Sequence, residues 1–234
     1  MKKFFILLFL AQSIITYSQD SNAYINTALR MISSKNYQKA LENLDIAIKA
    51  NSKSYKAFLL RGMVKGELND LYGSLNDINK AIEIKPNSSK AFYSRGITKG
   101  KLKDYKGALV DYTKSIDLNP KYSKVFYNRG VIRDALNDIK GANQDYTKAI
   151  ELNPTEQNAY FNRGNNKQKA NDFRGAIEDY SKAIEINNKE KDYYYSRGLA
   201  LIKINQNYKA CEDFNKAYYL GDNDSKKFIE LYCK

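Results

Sequence analysis

Tyr127-Asn128-Arg129-Gly130 is the stretch that decides the fold, because near-copies of it return at a fixed interval. Arg61-Gly62, Arg95-Gly96, Arg129-Gly130, Arg163-Gly164 and Arg197-Gly198 are each 34 residues apart. An aromatic precedes every one of those glycines by four positions: Phe58, Phe92, Phe126, Tyr160 and Tyr194. A small residue follows each glycine by twelve positions (Ser74, Ala108, Ala142, Ala176, Ala210), and another comes seven later (Ala81, Ser115, Ala149, Ala183, Ala217). A period of this size marks an array of like units stacked side by side.

Counting from Ser21 gives six repeats without remainder: 21–54, 55–88, 89–122, 123–156, 157–190 and 191–224. Each holds two helical patterns. In the fourth, Phe126, Arg129, Gly130 and Arg133 share one helical face, and Ile139, Ala142, Tyr146, Ala149 and Ile150 share another. The polar turn Leu136-Asn137-Asp138 separates them, and Leu152-Asn153-Pro154 closes the repeat. Proline stops a helix because it lacks the N–H and disfavours helical geometry in the residue before it. Pro86 and Pro120 stand at the same place, with Ser52, Asn188 and Asp222 in the other repeats.

The small residues predict close approach of two antiparallel helices, glycine at position 8 of a repeat with Ala or Ser at position 20. The aromatic at position 4 and the larger residue at 24 (Leu44, Ile78, Tyr112, Tyr146, Tyr180, Phe214) are expected to fill the space beside them. One helix pair cannot bury such a face alone, so neighbouring pairs must stack.

Phe92, Gly96, Tyr105, Ala108, Tyr112, Ser115 and Pro120 of the third repeat carry a resemblance to the tetratricopeptide repeat family, and it extends over residues 21–224. The first repeat departs most, with Ala28 for the glycine, and the sixth has Asn207 where an aromatic is usual. The resemblance implies an all-α fold: a right-handed α-solenoid of six antiparallel helix pairs. Residues 225–234 read as a capping helix, with Phe228 and Leu231 at first-helix spacing and Tyr232 where a glycine would have to receive a partner.

Compared with one another, the repeats single out a contact. Position 7 is Arg in repeats two to six and position 23 is Asp in the same repeats, whereas the first has Thr27 and Asn43. Only pairing within a repeat leaves no charge over. The expected bridges are Arg61–Asp77, Arg95–Asp111, Arg129–Asp145, Arg163–Asp179 and Arg197–Asp213. Their expected role is structural, holding the two helices in register.

Lys2 and Lys3, the mostly apolar run Phe4 to Ile15 and the small residues around Thr16-Tyr17-Ser18 have the three regions of a secretory signal peptide, residues 1–18. A membrane anchor is the rival reading, but a span needs about twenty apolar residues. An exported chain, periplasmic or secreted, is therefore expected. Removing Lys2 and Lys3 takes the formal charge from +13 to +11. That excess would attract acidic polysaccharide or other envelope polyanions; a Lys-rich composition that merely solvates helix faces is the plainer explanation. Cys211 and Cys233, the only cysteines, fall where the last second helix and the cap should face each other, and export favours a disulfide. Two free thiols or a redox pair are the alternatives.

No histidine is present, which removes the commonest general base and metal ligand. No phosphate loop or metal-ligand spacing occurs, so neither enzyme nor cofactor is expected. What remains is a surface. In the family, the first helices line a concave groove that holds extended or helical peptides. Here that groove would be lined by Lys56, Leu59, Met63, Lys90, Tyr93, Ile97, Lys124, Tyr127, Asn128, Val131, Phe161, Asn162, Asn165 and Tyr195. Coverage of positions 5 and 9 by the stacking itself is an equal alternative. The reading is a non-enzymatic, monomeric interaction scaffold for a protein or peptide, with a polyanion-binding protein second and nucleic acid not expected as a partner.

Overall fold

A computed structural model describes residues 21–233; the expected signal peptide lies outside them. Among the described residues there are thirteen helices and no strand. They are α1 (21–33), α2 Tyr37–Ala50, α3 Tyr55–Glu67, α4 Leu71–Ile84, α5 Ser89–Lys101, α6 Tyr105–Leu118 and α7 Ser123–Ala135. There follow α8 Ile139–Leu152, α9 Gln157–Lys169, α10 Phe173–Ile186, α11 Lys191–Lys203, α12 Asn207–Tyr219 and α13 Ser225–Tyr232. The chain divides after Pro120 into two compact halves, α1 to α6 and α7 to α13.

The turn inside each repeat is built from three adjacent residues. Lys35, Asn69, Lys103, Asn137, Asn171 and Asn205 all adopt the left-handed backbone, with φ of 57–64°. In the fourth repeat the Asn137 N–H then reaches Asp134 O at 2.9 Å and the Asp138 N–H reaches Arg133 O at 2.8 Å, which satisfies the last carbonyls of α7. Asp138 next caps α8, its side chain accepting from the Gly141 N–H at 3.0 Å. Asp70, Asp104 and Asp172 do the same for Gly73, Gly107 and Gly175.

The stop at the end of a repeat does not depend on proline. Asn153 before Pro154 is extended (φ −142°), but so is Asn187 before Asn188 (φ −141°) and Asn51 before Ser52 (φ −142°). The last repeat ends differently, with α12 closing through Gly221 at φ 94°. That left-handed turn carries the chain into α13.

Within a repeat the two helices approach closely at the glycine, and the structure shows which side chain meets it. The glycine at position 8 meets the side chain at position 24, and at Gly62 also the backbone of Ser74 at position 20, 3.1 Å from the place of a Cβ. A Cβ on Gly96 would lie 2.6 Å from the Tyr112 ring, and one on Gly130 would lie 2.7 Å from Tyr146. Ile78, Tyr180 and Phe214 meet Gly62, Gly164 and Gly198 in the same way. The small residues at 20 and 27 are fully buried in every repeat. The aromatic at position 4 packs on the core of its repeat, as Phe58 does beside Ile78 and Ala81. It lies under the arginine three residues on, as in Phe126 below Arg129 at 5.7 Å. The ring that meets a position-24 ring comes from position 5: Tyr93 on Tyr112 at 6.1 Å and Tyr127 on Tyr146 at 6.1 Å.

In the second half, α13 lays Phe228 over Phe214 at 4.8 Å, stacked, and against Tyr195 at 5.8 Å. Leu231, expected on the inner face, is 65% exposed; Phe228 and Ile229 make the apolar contact instead. Cys211 and Cys233 are joined, with Cα atoms 5.3 Å apart.

Candidate functional site: the faces of the first helices

From the second repeat on, each first helix carries an arginine that binds the second helix of its repeat, and Arg61, Arg95, Arg163 and Arg197 serve three helices at once. Arg61 Nε and Nη2 donate to Asp77 Oδ2 and Oδ1 at 2.8 and 2.6 Å. The same fork joins Arg95 to Asp111, Arg129 to Asp145, Arg163 to Asp179 and Arg197 to Asp213. Pairing confined to one repeat is too narrow an account, however. The third donor of Arg61 reaches back to Asp45 on α2, and those of Arg95, Arg163 and Arg197 reach Asn79, Thr147 and Ser181. The guanidinium has five N–H groups, so it binds the aspartate bidentately and still ties in the preceding second helix.

Sequence comparison missed a second cation on four of the five aspartates. Lys65, Lys99, Arg133 and Lys167, at position 11, lie 2.8–2.9 Å from Asp77, Asp111, Asp145 and Asp179. The same comparison of repeats could have found it, because position 11 is basic only in those four. In the last repeat it is Leu201, buried in the core. Asp213 is therefore left with Arg197 as its cation. Burial lifts its carboxyl above the ordinary aspartate value, and the Arg197 hydrogen bond opposes that shift only in part.

The exposed strip of each first helix is narrower than a simple inner and outer division of the helix suggests. In the first half α3 packs on both α2 and α4, and α5 on both α4 and α6, so two flanks of each are covered. Leu59 is only 6% exposed and belongs to the core, not to a groove. Tyr93, Tyr127, Phe161 and Tyr195 are half-buried, their inner faces spent on position-24 rings. Lys56, Lys90 and Lys124 are exposed, Met63 (45%) and Val131 (36%) are open to solvent, and Ile97 is half-buried.

The two halves present different chemistry on this strip. In the second half the amides are engaged internally. Asn166, 1% exposed, donates to Asp134 Oδ1 at 2.8 Å and Asn143 Oδ1 at 3.0 Å, and the Tyr146 hydroxyl donates to Asp134 Oδ2 at 2.6 Å. Asn165 Oδ1 lies 2.8 Å from the Tyr180 hydroxyl, and Asn162 hydrogen-bonds the Tyr127 and Tyr146 hydroxyls. Asn128 is half-buried. Tyr193 stands where other repeats have Ala or Val, packs 4.8 Å from Phe161 and donates to Asn158. Its burial, with Glu190 nearby, pushes its hydroxyl up to about 12.

In the first half the strip opens into an apolar cavity of about 300 Å³. Leu29, Ile32, Leu60, Met63, Val64, Ile78, Tyr93 and Ile97 supply most of its wall. Gly66 and the aliphatic Ile78, where the next three repeats carry tyrosine, leave the room. Its polar lining is self-satisfied: Ser74 and Thr98 hydroxyls pair at 3.0 Å, and Lys101 Nζ donates to Gly66 O at 2.8 Å. Of this wall the groove expectation contained Met63, Tyr93 and Ile97.

Comparison with known proteins places the arrangement. The chain resembles the structure of pilF of Pseudomonas aeruginosa with a TM-score of 0.82 at 16% identity, over 92% of this chain and 99% of that one. YrrB, described as a TPR protein with an unusual peptide-binding site, matches at TM-score 0.67 and 21% identity, over 80% and 97%. A tetratricopeptide repeat protein of Parabacteroides merdae matches at 0.64 and 18%, over 92% and 100%. These likenesses show a shared fold. No curated protein sequence matches the chain. Family profiles described as Tetratricopeptide repeat match residues 89–122, 123–156, 157–190 and 191–224, more than half of the chain and with bounds equal to four of the repeats read above. The chain belongs to the tetratricopeptide repeat family.

Proposed function

We propose that this protein is an exported, non-enzymatic scaffold that holds a peptide or protein partner on the strip formed by its first helices. Membership of a family of protein-interaction scaffolds supports the general reading, and the peptide-binding site named for YrrB lies on a like fold. The observation that carries the choice of face is the open cavity in the first half. Buried apolar residues elsewhere are closed over by their neighbours, whereas Met63 and Leu29 frame a hollow on the exposed strip. A concave apolar site with few polar groups is the usual form of a binding pocket. Export rests on the first eighteen residues; N-terminal sequencing of the protein from the source cell would find a start near Gln19, and an intact Met1 would contradict it.

Capture of partners from an envelope extract tests the reading. Retention should survive a rise from low to physiological salt and be lost in Met63→Glu. Binding that collapses with ionic strength and ignores Met63→Glu would mean attraction to polyanions instead.

A further inference from the structure

We infer that the first half's cavity takes a bulky apolar side chain from an acidic peptide, the carboxylates of that peptide being held by Lys56 and Lys90. The inference rests on the scaffold reading above and names the chemistry of its partner. Two independent features point the same way.

The first is the shape and lining of the cavity. About 300 Å³ is the low end for ligand sites and suits one large side chain, not a cofactor. Its wall is mainly aliphatic and aromatic; Ser74 pairs with Thr98, and Lys101 bonds Gly66 O and lies 3.7 Å from Glu67, the one carboxylate of the lining. With its two charged members, Lys101 and Glu67, set against each other, the rest of the wall favours an apolar group over a charged head.

The second is charge. No Asp or Glu occurs in the segments between Asn51 and Gly66 or between Ile84 and Lys103; the one carboxylate of α3 is its last residue, Glu67, at the opposite end of the helix from Lys56 and 3.7 Å from Lys101. Arg61, Lys65, Arg95 and Lys99 are spent on Asp77 and Asp111. Lys56 and Lys90 are exposed and have no carboxylate among those segments. The serines that begin α3 and α5, Ser54 and Ser88, cap the helices through their own side chains and add no charge. At the equivalent places, the starts of α9 and α11, the chain carries Glu156, Glu190 and Asp192. This helix end is thus positive in α3 and α5, as it is in α7 with Lys124, and gains carboxylates in α9 and α11; the cavity lies beside α3 and α5.

The spacing sets what the partner must look like. Met63 and Lys56 are seven residues apart on α3, about 10 Å along the axis at 1.5 Å per residue. An extended peptide covers that in about three residues. The partner therefore carries Leu, Ile, Met or Phe with acidic residues roughly three positions away, in one or other chain direction.

Isothermal titration of the full mature chain with short synthetic peptides tests this. One peptide has Leu and, three residues away, two Glu; a second replaces Glu by Lys; a third replaces Leu by Ala; each is made in both chain orders. The Leu–Glu peptide should bind in one order, with the Leu–Lys and Ala–Glu peptides at least tenfold weaker. Met63→Glu, and separately Lys56→Glu with Lys90→Glu, should each weaken it at least tenfold, while Tyr72→Glu on the outer side of α4 should not. Each variant's helical circular dichroism checks that it is folded. Equal binding of Leu–Lys and Leu–Glu peptides, sensitive to Met63→Glu, would overturn the acidic partner and keep the scaffold. Peptide binding indifferent to every first-helix variant would overturn both. No binding of any peptide also overturns the inference. So does capture of phosphatidylglycerol vesicles that depends on Lys56 and Lys90 but not Met63, without peptide binding, since it assigns the cations to a lipid surface.

Discussion

At the residue scale, repeats two to six each turn on one buried aspartate and the cations it keeps. Removing Arg163 leaves Asp179 with Lys167, whereas removing Arg197 leaves Asp213 buried with no cation near it. Stranding a buried charge costs about 3–5 kcal/mol, so Arg197→Met should lower the melting point of the last two helix pairs clearly more than Arg163→Met does in its own repeat. Equal losses would contradict the two-cation reading. Asp213 also gives a pH signature. Its folded pKa lies above its unfolded value, so the folded chain binds the proton more readily. The stability this group contributes is full below the unfolded pKa and is lost as pH rises through the folded one. A carbon-13 titration should place the Asp213 carboxyl midpoint above that of an ordinary aspartate; a midpoint below it would contradict this. The Arg–Asp pairs were legible because the first repeat loses both members together. The position-11 cations were equally written in the chain, but a search for one partner per charge stops before finding them.

At the scale of the element, the helix boundaries follow from short-range chemistry. Asn137 sits at φ 61° and Asp138 caps α8. Asp138→Ala should cost about 1 kcal/mol, as N-cap losses do, measured as a shift in the denaturation midpoint; no shift would mean that the cap is idle. Gly130→Ala places a methyl 2.7 Å from the Tyr146 ring. It should destabilise by about 1–3 kcal/mol through overpacking, and Tyr146→Leu should recover part of that loss. Full tolerance of the alanine would contradict the close approach. The period alone showed that these glycines pack. It could not show against what, because positions 20 and 24 lie on one face of the second helix a single turn apart and only coordinates distinguish them. The same limit hid the fate of Leu59 and Tyr93: a first helix is flanked by two second helices, and a projection of one helix does not reveal the second neighbour.

For the molecule as a whole, a stacked array is held by nearest-neighbour contacts, so its ends are its weak points. The cap α13 packs on α12 and is tied to it by Cys211–Cys233. Closing this loop of about twenty residues contributes roughly 3 kcal/mol in the chain-entropy model. Reduction should therefore speed hydrogen exchange in residues 225–232 well before α7 to α10 respond; unchanged exchange would show that Phe228 and Ile229 suffice alone. The architecture was readable from five Arg-Gly dipeptides, since a period survives any uncertainty about single contacts. The cavity was not, because it arises from what is missing: Gly66 at one position and an aliphatic side chain where later repeats have a ring. The central claim, that the exposed strip of the first helices is where a partner sits, is tested most directly by photo-crosslinking in the source cell. A photoreactive residue at Met63 should yield a crosslinked partner band, and the same residue at the outward-facing Tyr72 or Tyr208 should not. A band from Tyr72 or Tyr208 and none from Met63 would contradict the account.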